Sequence, residues 1–101
     1  MAKKSMIARE VKRRKLNEQH HAVRESLRQR VVDESLSYDE RWQAMLDLQK
    51  LPRDSARTRQ RNRCALTGRP RGYFRRIGLA RNALREVVMR GEAPGVVKAS
   101  W

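Results

Sequence analysis

The chain predicts a mainly α protein with one short β-hairpin: an extended N-terminal helical arm, then a small arginine-rich knot that completes its order on an anionic partner. Three observations predict this. Residues 4 to about 32 hold no Gly or Pro and are rich in good helix formers. Ser37-Tyr38-Asp39-Glu40 opens a second helix as a capping box. Leu, Ile, Val and Phe number only 20 in 101 residues that carry a net charge of +14, which excludes a large buried core. Charge divides the chain into an arm at 1–52 and, at 53–101, an arginine-rich knot with a C-terminal helix and tail.

In the arm, Ile7 and Val11 share a face, and Val23, Leu27 and Val31 recur at four-residue spacing. Between them, K-R-R-K at 12–15 and N-E-Q-H-H at 17–21 are nearly devoid of apolar residues. The stretch is one long helix or two with a bend near Asn17. Its stripe is narrow, so the arm lies across a partner and closes no core alone. In the second helix Trp42, Met45, Leu46 and Gln49 follow the cap at helical spacing, and Leu51-Pro52 ends the run.

From Arg53 to Arg63, Arg57, Arg59, Arg61 and Arg63 alternate with Thr58, Gln60 and Asn62, which predicts an extended strand, solvated or laid on RNA. Cys64-Ala65-Leu66 and Tyr73-Phe74 then pair as a hairpin with its turn from Thr67-Gly68 through Gly72. A third helix starts near Ala80, with Ala80, Ala83, Leu84, Val87 and Val88 on one side. Gly91 is its C′ residue, and Pro94-Gly95 prevents continuation.

Charge carries the functional reading. Residues 1–50 hold 12 basic against 8 acidic side chains; residues 51–101 hold 13 against 3. Arginine outnumbers lysine by 19 to 6, and Arg53 to Arg85 contains eleven arginines with one acid, Asp54. Guanidinium groups this dense cannot turn inward without partners, and their planar forks match phosphate oxygens two at a time. The alternative is a solvated basic face. Gly68 and Gly72 interleaved with aromatic residues favour nucleic acid. RNA is preferred to DNA because no DNA-reading helix is evident and Tyr73 and Phe74 offer stacking surfaces, unless they form the hairpin core.

The assigned RNA-binding residues are Arg53, Arg57, Arg59, Arg61, Arg63, Gly68, Arg69, Arg71, Gly72, Tyr73, Arg75, Arg76, Arg81, Arg85, Lys98 and the terminal Trp101. Ten phosphate contacts would give a log–log salt slope of about −7 to −9. A sequence-specific DNA regulator reading with the helix at 80–90 is the rival. An interaction protein acting through the acidic helix at 38–50 is another.

Catalysis has no candidate residues. His20 and His21 diverge by about 100° on a helix, and no nucleophile has companions. A lone Cys64 excludes an internal disulfide and suits a reducing compartment. No cofactor is expected, and no membrane partner, since the arginine-rich part is poor in the bulky apolar residues that would enter the acyl boundary and no apolar run reaches the roughly 18–20 residues of a span. With no signal-peptide core after Met1, the chain reads as cytoplasmic.

Three stretches then match a known family: R-x-R-C-x-x-T-G-R-P-R-G at 61–72, R-R-I-G-L-A-R at 75–81, and G-E-A-P-G-V-V-K-A-S-W at 91–101. The chain resembles the bacterial small-subunit ribosomal protein S-fourteen family over essentially its whole length, most tightly from Arg53 onward. That family has a short form with a C-x2-C…C-x2-C zinc ribbon and a longer, metal-free form. Cys64, Thr67, Ala80 and Ala83 stand where the short form has its four cysteines, so the resemblance implies the longer form and a zinc-ribbon-like knot without metal. Packing of Leu66, Tyr73, Phe74 and Leu79, with RNA contact, would replace the clamp. The resemblance further implies ribosomal RNA of the small-subunit head as partner, the third and tenth small-subunit proteins as neighbours, support of head assembly, and an influence on RNA near the aminoacyl-tRNA site.

Overall fold

A computed structural model describes residues 1–99. It is mainly helical with one small antiparallel hairpin: helix α1 (Lys4–Val32), helix α2 (Tyr38–Lys50), two 3₁₀ turns (Arg53–Ser55 and Arg57–Arg59), strand β1 (Tyr73–Phe74), strand β2 (Leu79–Ala80) and helix α3 (Arg81–Met89). By packing the chain divides into two units, Ala8–Gln60 and Met1–Ile7 with Arg61–Trp101.

In the first unit α1 runs without a break through Asn17, since nothing in its sequence interrupts the backbone ladder. Its stripe is as narrow as its composition: Leu27 is buried, while Val11 and Val23 stay about half exposed. The helix ends where Arg41 from α2 donates its Nε–H to the Val31 carbonyl (2.9 Å), satisfying one of the acceptors a helix end leaves open. Asp33 then forms a turn, accepting from the Ser35 N–H and hydroxyl. Ser37 caps α2 with extended backbone, its Oγ accepting from the Glu40 N–H (3.4 Å). Leu51, extended before Pro52, ends it. The inward face of α2 centres on Ala44, 1% exposed, whereas Trp42 is half exposed.

Residues 53–59 are not the extended strand that their alternating arginines predict. They coil into two 3₁₀ turns, the first of which is held by side chains distant in sequence. Ser55 is fully buried. Arg24 donates from Nε to Ser55 Oγ (2.9 Å) and from NH2 to the Pro52 carbonyl (3.0 Å). Asn17 Nδ2 donates to the Ser55 carbonyl (2.9 Å). Asn17 and Arg24 lie seven residues apart, two helical turns along one face of α1.

In the second unit the hairpin differs from the expected one. Tyr73 pairs with Ala80 and Phe74 with Leu79 across a turn at Arg75–Gly78, rather than with Cys64–Leu66. Two groups converge on the Phe74 carbonyl, the Ile77 and Gly78 N–H, and Gly78 takes φ +78°. Cys64 instead begins a turn. Its carbonyl accepts from the Gly68 N–H and its own N–H donates to the Arg69 carbonyl, while the Ala65 N–H donates to Gly78.

The core here is small: Cys64, Ala80 and Ala83, with Leu79 packed against them. The expected clamp of Leu66, Tyr73, Phe74 and Leu79 is therefore corrected. Leu66 is 62% and Phe74 49% exposed, and only Leu79 of the four packs on the core. Small side chains at 80 and 83 let the helix start lie directly over the thiol, leaving no room for larger ones.

Helix α3 follows β2 directly, with the Arg81 N–H donating to the Gly72 carbonyl (2.8 Å). It closes as the sequence predicts. The Glu92 N–H bonds the Val87 carbonyl and the Gly91 N–H that of Val88, with Gly91 at φ +76°, a Schellman motif.

Candidate nucleic-acid interface

The local structure explains how the cations are presented. In the first unit the two 3₁₀ turns, the first pinned by Asn17 and Arg24, present Arg53, Arg57 and Arg59 exposed. Asp54, the one acid of this stretch, is shared between Arg59 NH1 (3.4 Å) and Arg13 Nε (3.8 Å). The charge pattern of the sequence does not single out Asn17 and Arg24. Their only signal was a polar pair at i and i+7 where a helix otherwise shows its apolar stripe.

In the second unit Arg61, Arg71, Arg75, Arg76, Arg81, Arg85 and Lys98 are exposed. Arg75 and Arg76 occupy the hairpin turn; Arg81 and Arg85 stand one turn apart on α3. Among the described residues none of Arg57, Arg71, Arg75, Arg76, Arg81 and Arg85 forms an ion pair, so these six guanidinium groups keep their full demand for counter-charge. Arg63 and Arg69 are only partly exposed. Arg63 NH1 donates to the Gly68 carbonyl (2.9 Å), and its Nε is buried with no acceptor among the described residues. Arg63 thus serves the fold of the Cys64–Arg69 turn.

The two glycines have intramolecular reasons. Gly68 is buried at φ +75° beneath Ile7, and Gly72, exposed at φ +66°, lies against the Arg81 side chain. The close approach at Gly68 within the chain is to Ile7. Of the two aromatic residues Tyr73 is partly buried, and Phe74 has the open face. Trp101 lies outside the described residues.

The four positions that the resemblance sets against zinc ligands do meet in space. Cys64, Ala80 and Ala83 form the core, and the Thr67 hydroxyl reaches the thiol. Burial pushes the Cys64 thiol up. The Ala80 N–H, the Thr67 hydroxyl and the N–H groups of Thr67 and Leu66 outweigh it and bring it down to about 7. One thiol with a hydroxyl and two methyl groups does not fit zinc, which takes four Cys, His or carboxylate donors. Among the described residues no group of three or more His, Cys, Asp or Glu is placed to hold a metal ion. No helix among them is long and apolar enough to cross a membrane.

Residues 47–100 match the family described as Ribosomal protein S14p/S29e. The match takes in both 3₁₀ turns, the hairpin, α3 and every exposed arginine from Arg53 to Arg85. A cationic surface of this kind, built on so small a core, is what a protein seated among RNA helices requires, and the chain belongs to the ribosomal protein S14p/S29e family, as a ribosomal protein of the small subunit.

Proposed function

We propose that this protein is the longer, zinc-free bacterial form of its family, and that it binds small-subunit ribosomal RNA in the head as a structural, non-catalytic component. There it supports head assembly and the conformation of RNA near the aminoacyl-tRNA site. The third and tenth small-subunit proteins are its neighbours, and the ribosome in the cytoplasm is its place.

One observation carries the RNA reading: six exposed arginines between Arg57 and Arg85 have no carboxylate partner among the described residues. Counter-charge for them comes from phosphates, and each contact releases condensed counterions. The thiol packed under Ala80 and Ala83 supports the zinc-free reading, since that core closes the knot that a metal closes in the short form.

Binding of the full chain to folded small-subunit RNA, measured across salt concentrations, tests the proposal. Six phosphate contacts give a log–log slope of about −4 to −5, and partial engagement of the remaining arginines steepens it. A slope near zero, or no retention on small subunits at low salt, would remove the RNA reading.

A further inference from the structure

Within the second unit, α3, the hairpin and the segment after Gly95 enclose a groove of ≈ 430 Å³, in the size range of small-ligand sites. Its apolar lining includes Phe74, Leu84, Val88 and Val97. Arg81, Asn82, Arg85 and Lys98 also line it, and among the described residues no acidic side chain does. Among the described residues none of the three cations forms an ion pair. The Phe74 side chain, 49% exposed, is an aromatic ring left open at the mouth of a charged groove.

This combination selects an occupant. Three cations and no acid require an anion. An apolar lining with an open ring requires a flat, weakly hydrated body attached to that anion. Asn82 adds a donor and an acceptor for a polar edge. A nucleotide has all three features, and in an unpaired strand the base is free to leave the stack. An acidic peptide satisfies the cations but brings no planar face to Phe74. We infer that the groove receives one unpaired nucleotide of RNA, its base against Phe74 and its flanking phosphates on Arg81, Arg85 and Lys98. The inference rests on the RNA-binding reading above and adds the element recognised: an unpaired nucleotide, where the exposed arginines elsewhere meet backbone in any form.

The test uses the full chain with a single-stranded RNA octamer carrying one 2-aminopurine, and with the same octamer annealed to its complement. Wild type should quench 2-aminopurine fluorescence and prefer the single strand. Phe74→Ala should abolish the quench and weaken single-strand binding by about 5- to 100-fold, as loss of a stacking ring does, with duplex binding unchanged. Phe74→Tyr should retain both. Asn82→Ala, at an exposed helix position, should weaken the single strand and leave the duplex alone, which keeps the inference testable if Phe74→Ala disturbs the hairpin. If wild type binds both RNAs equally and neither substitution discriminates them, the groove inference fails while RNA binding stands. If wild type binds neither RNA, the functional reading fails and this one with it. RNA binding unaltered by Phe74→Ala, with a neighbouring protein lost from small subunits that carry the variant, would assign the groove to a peptide and overturn the inference.

Discussion

Ile7 rests against the bare Cα of Gly68 so closely that a Cβ at position 68 would stand 2.8 Å from its Cδ1 and Cγ1 atoms. The Ala2 N–H donates to the Thr67 carbonyl (3.0 Å) beside it. The first residues of the chain thus close over the Cys64–Arg69 turn, inside the unit that holds the hairpin. Two separate costs follow for Gly68→Ala: a left-handed φ of +75°, about 1 kcal/mol for a residue with a Cβ, and the collision with Ile7. The substitution should destabilise the protein by about 2–3 kcal/mol. In an Ile7→Ala background the steric part disappears and about 1 kcal/mol remains. A double-mutant cycle read by thermal unfolding checks this, and strict additivity would exclude the contact.

The pinned 3₁₀ turns give a prediction at the other unit. Arg24→Ala leaves the buried Ser55 hydroxyl without its guanidinium donor and the Pro52 carbonyl without another. A loss of about 1–3 kcal/mol is expected locally. The Ala56 and Gln60 amides, which donate to Arg53 and Arg57 carbonyls, report on it directly. Hydrogen exchange at these two amides should accelerate in the variant, while the Gly91 amide at the end of α3 keeps its rate.

These two units also show where sequence was sufficient. The Ser37 cap, the stop at Leu51-Pro52 and the Gly91 Schellman ending were legible, because each is decided by residues within about one turn. The hairpin partner was not. Cys64–Leu66 and Leu79–Ala80 are both short apolar runs able to pair with Tyr73-Phe74, and the choice is made by packing of Ala80 and Ala83 on the thiol. The turn at Arg53–Ser55 escaped for the same reason: the donors that hold it lie 31 and 38 residues away at Arg24 and Asn17. The charged face was legible as composition, and which arginines serve the fold, as Arg63 does, was not.

Cys64 should couple stability to pH. Its folded pKa is brought down to about 7 from an ordinary value of 9.0. A depressed pKa contributes stability that is fully present above the unfolded pKa and is lost as pH falls through the folded one. The folded state should therefore strengthen as pH rises from about 7 to 9, by about 2–3 kcal/mol in all. Thermal unfolding across that window, with Cys64→Ala as reference, isolates the contribution. Thiolate absorbance should titrate near 7 in the folded chain, and a midpoint at or above 9 would show that burial wins over the four donors.

The exposed arginines of the hairpin turn make the sharpest statement about RNA. Arg75 and Arg76 are adjacent, exposed and without ion pairs among the described residues, so each is free to neutralise one phosphate. Arg75→Ala with Arg76→Ala should make the log–log salt slope on small-subunit RNA shallower by about 1.4 to 1.8, and weaken binding alike for every sequence tested. Arg28 offers the internal comparison. Its guanidinium already pairs with Glu25 at 3.0 Å, so Arg28→Ala should leave the slope unchanged. Equal effects from the two variants would mean that only total charge matters, and that the folded presentation of the turn arginines contributes nothing to recognition.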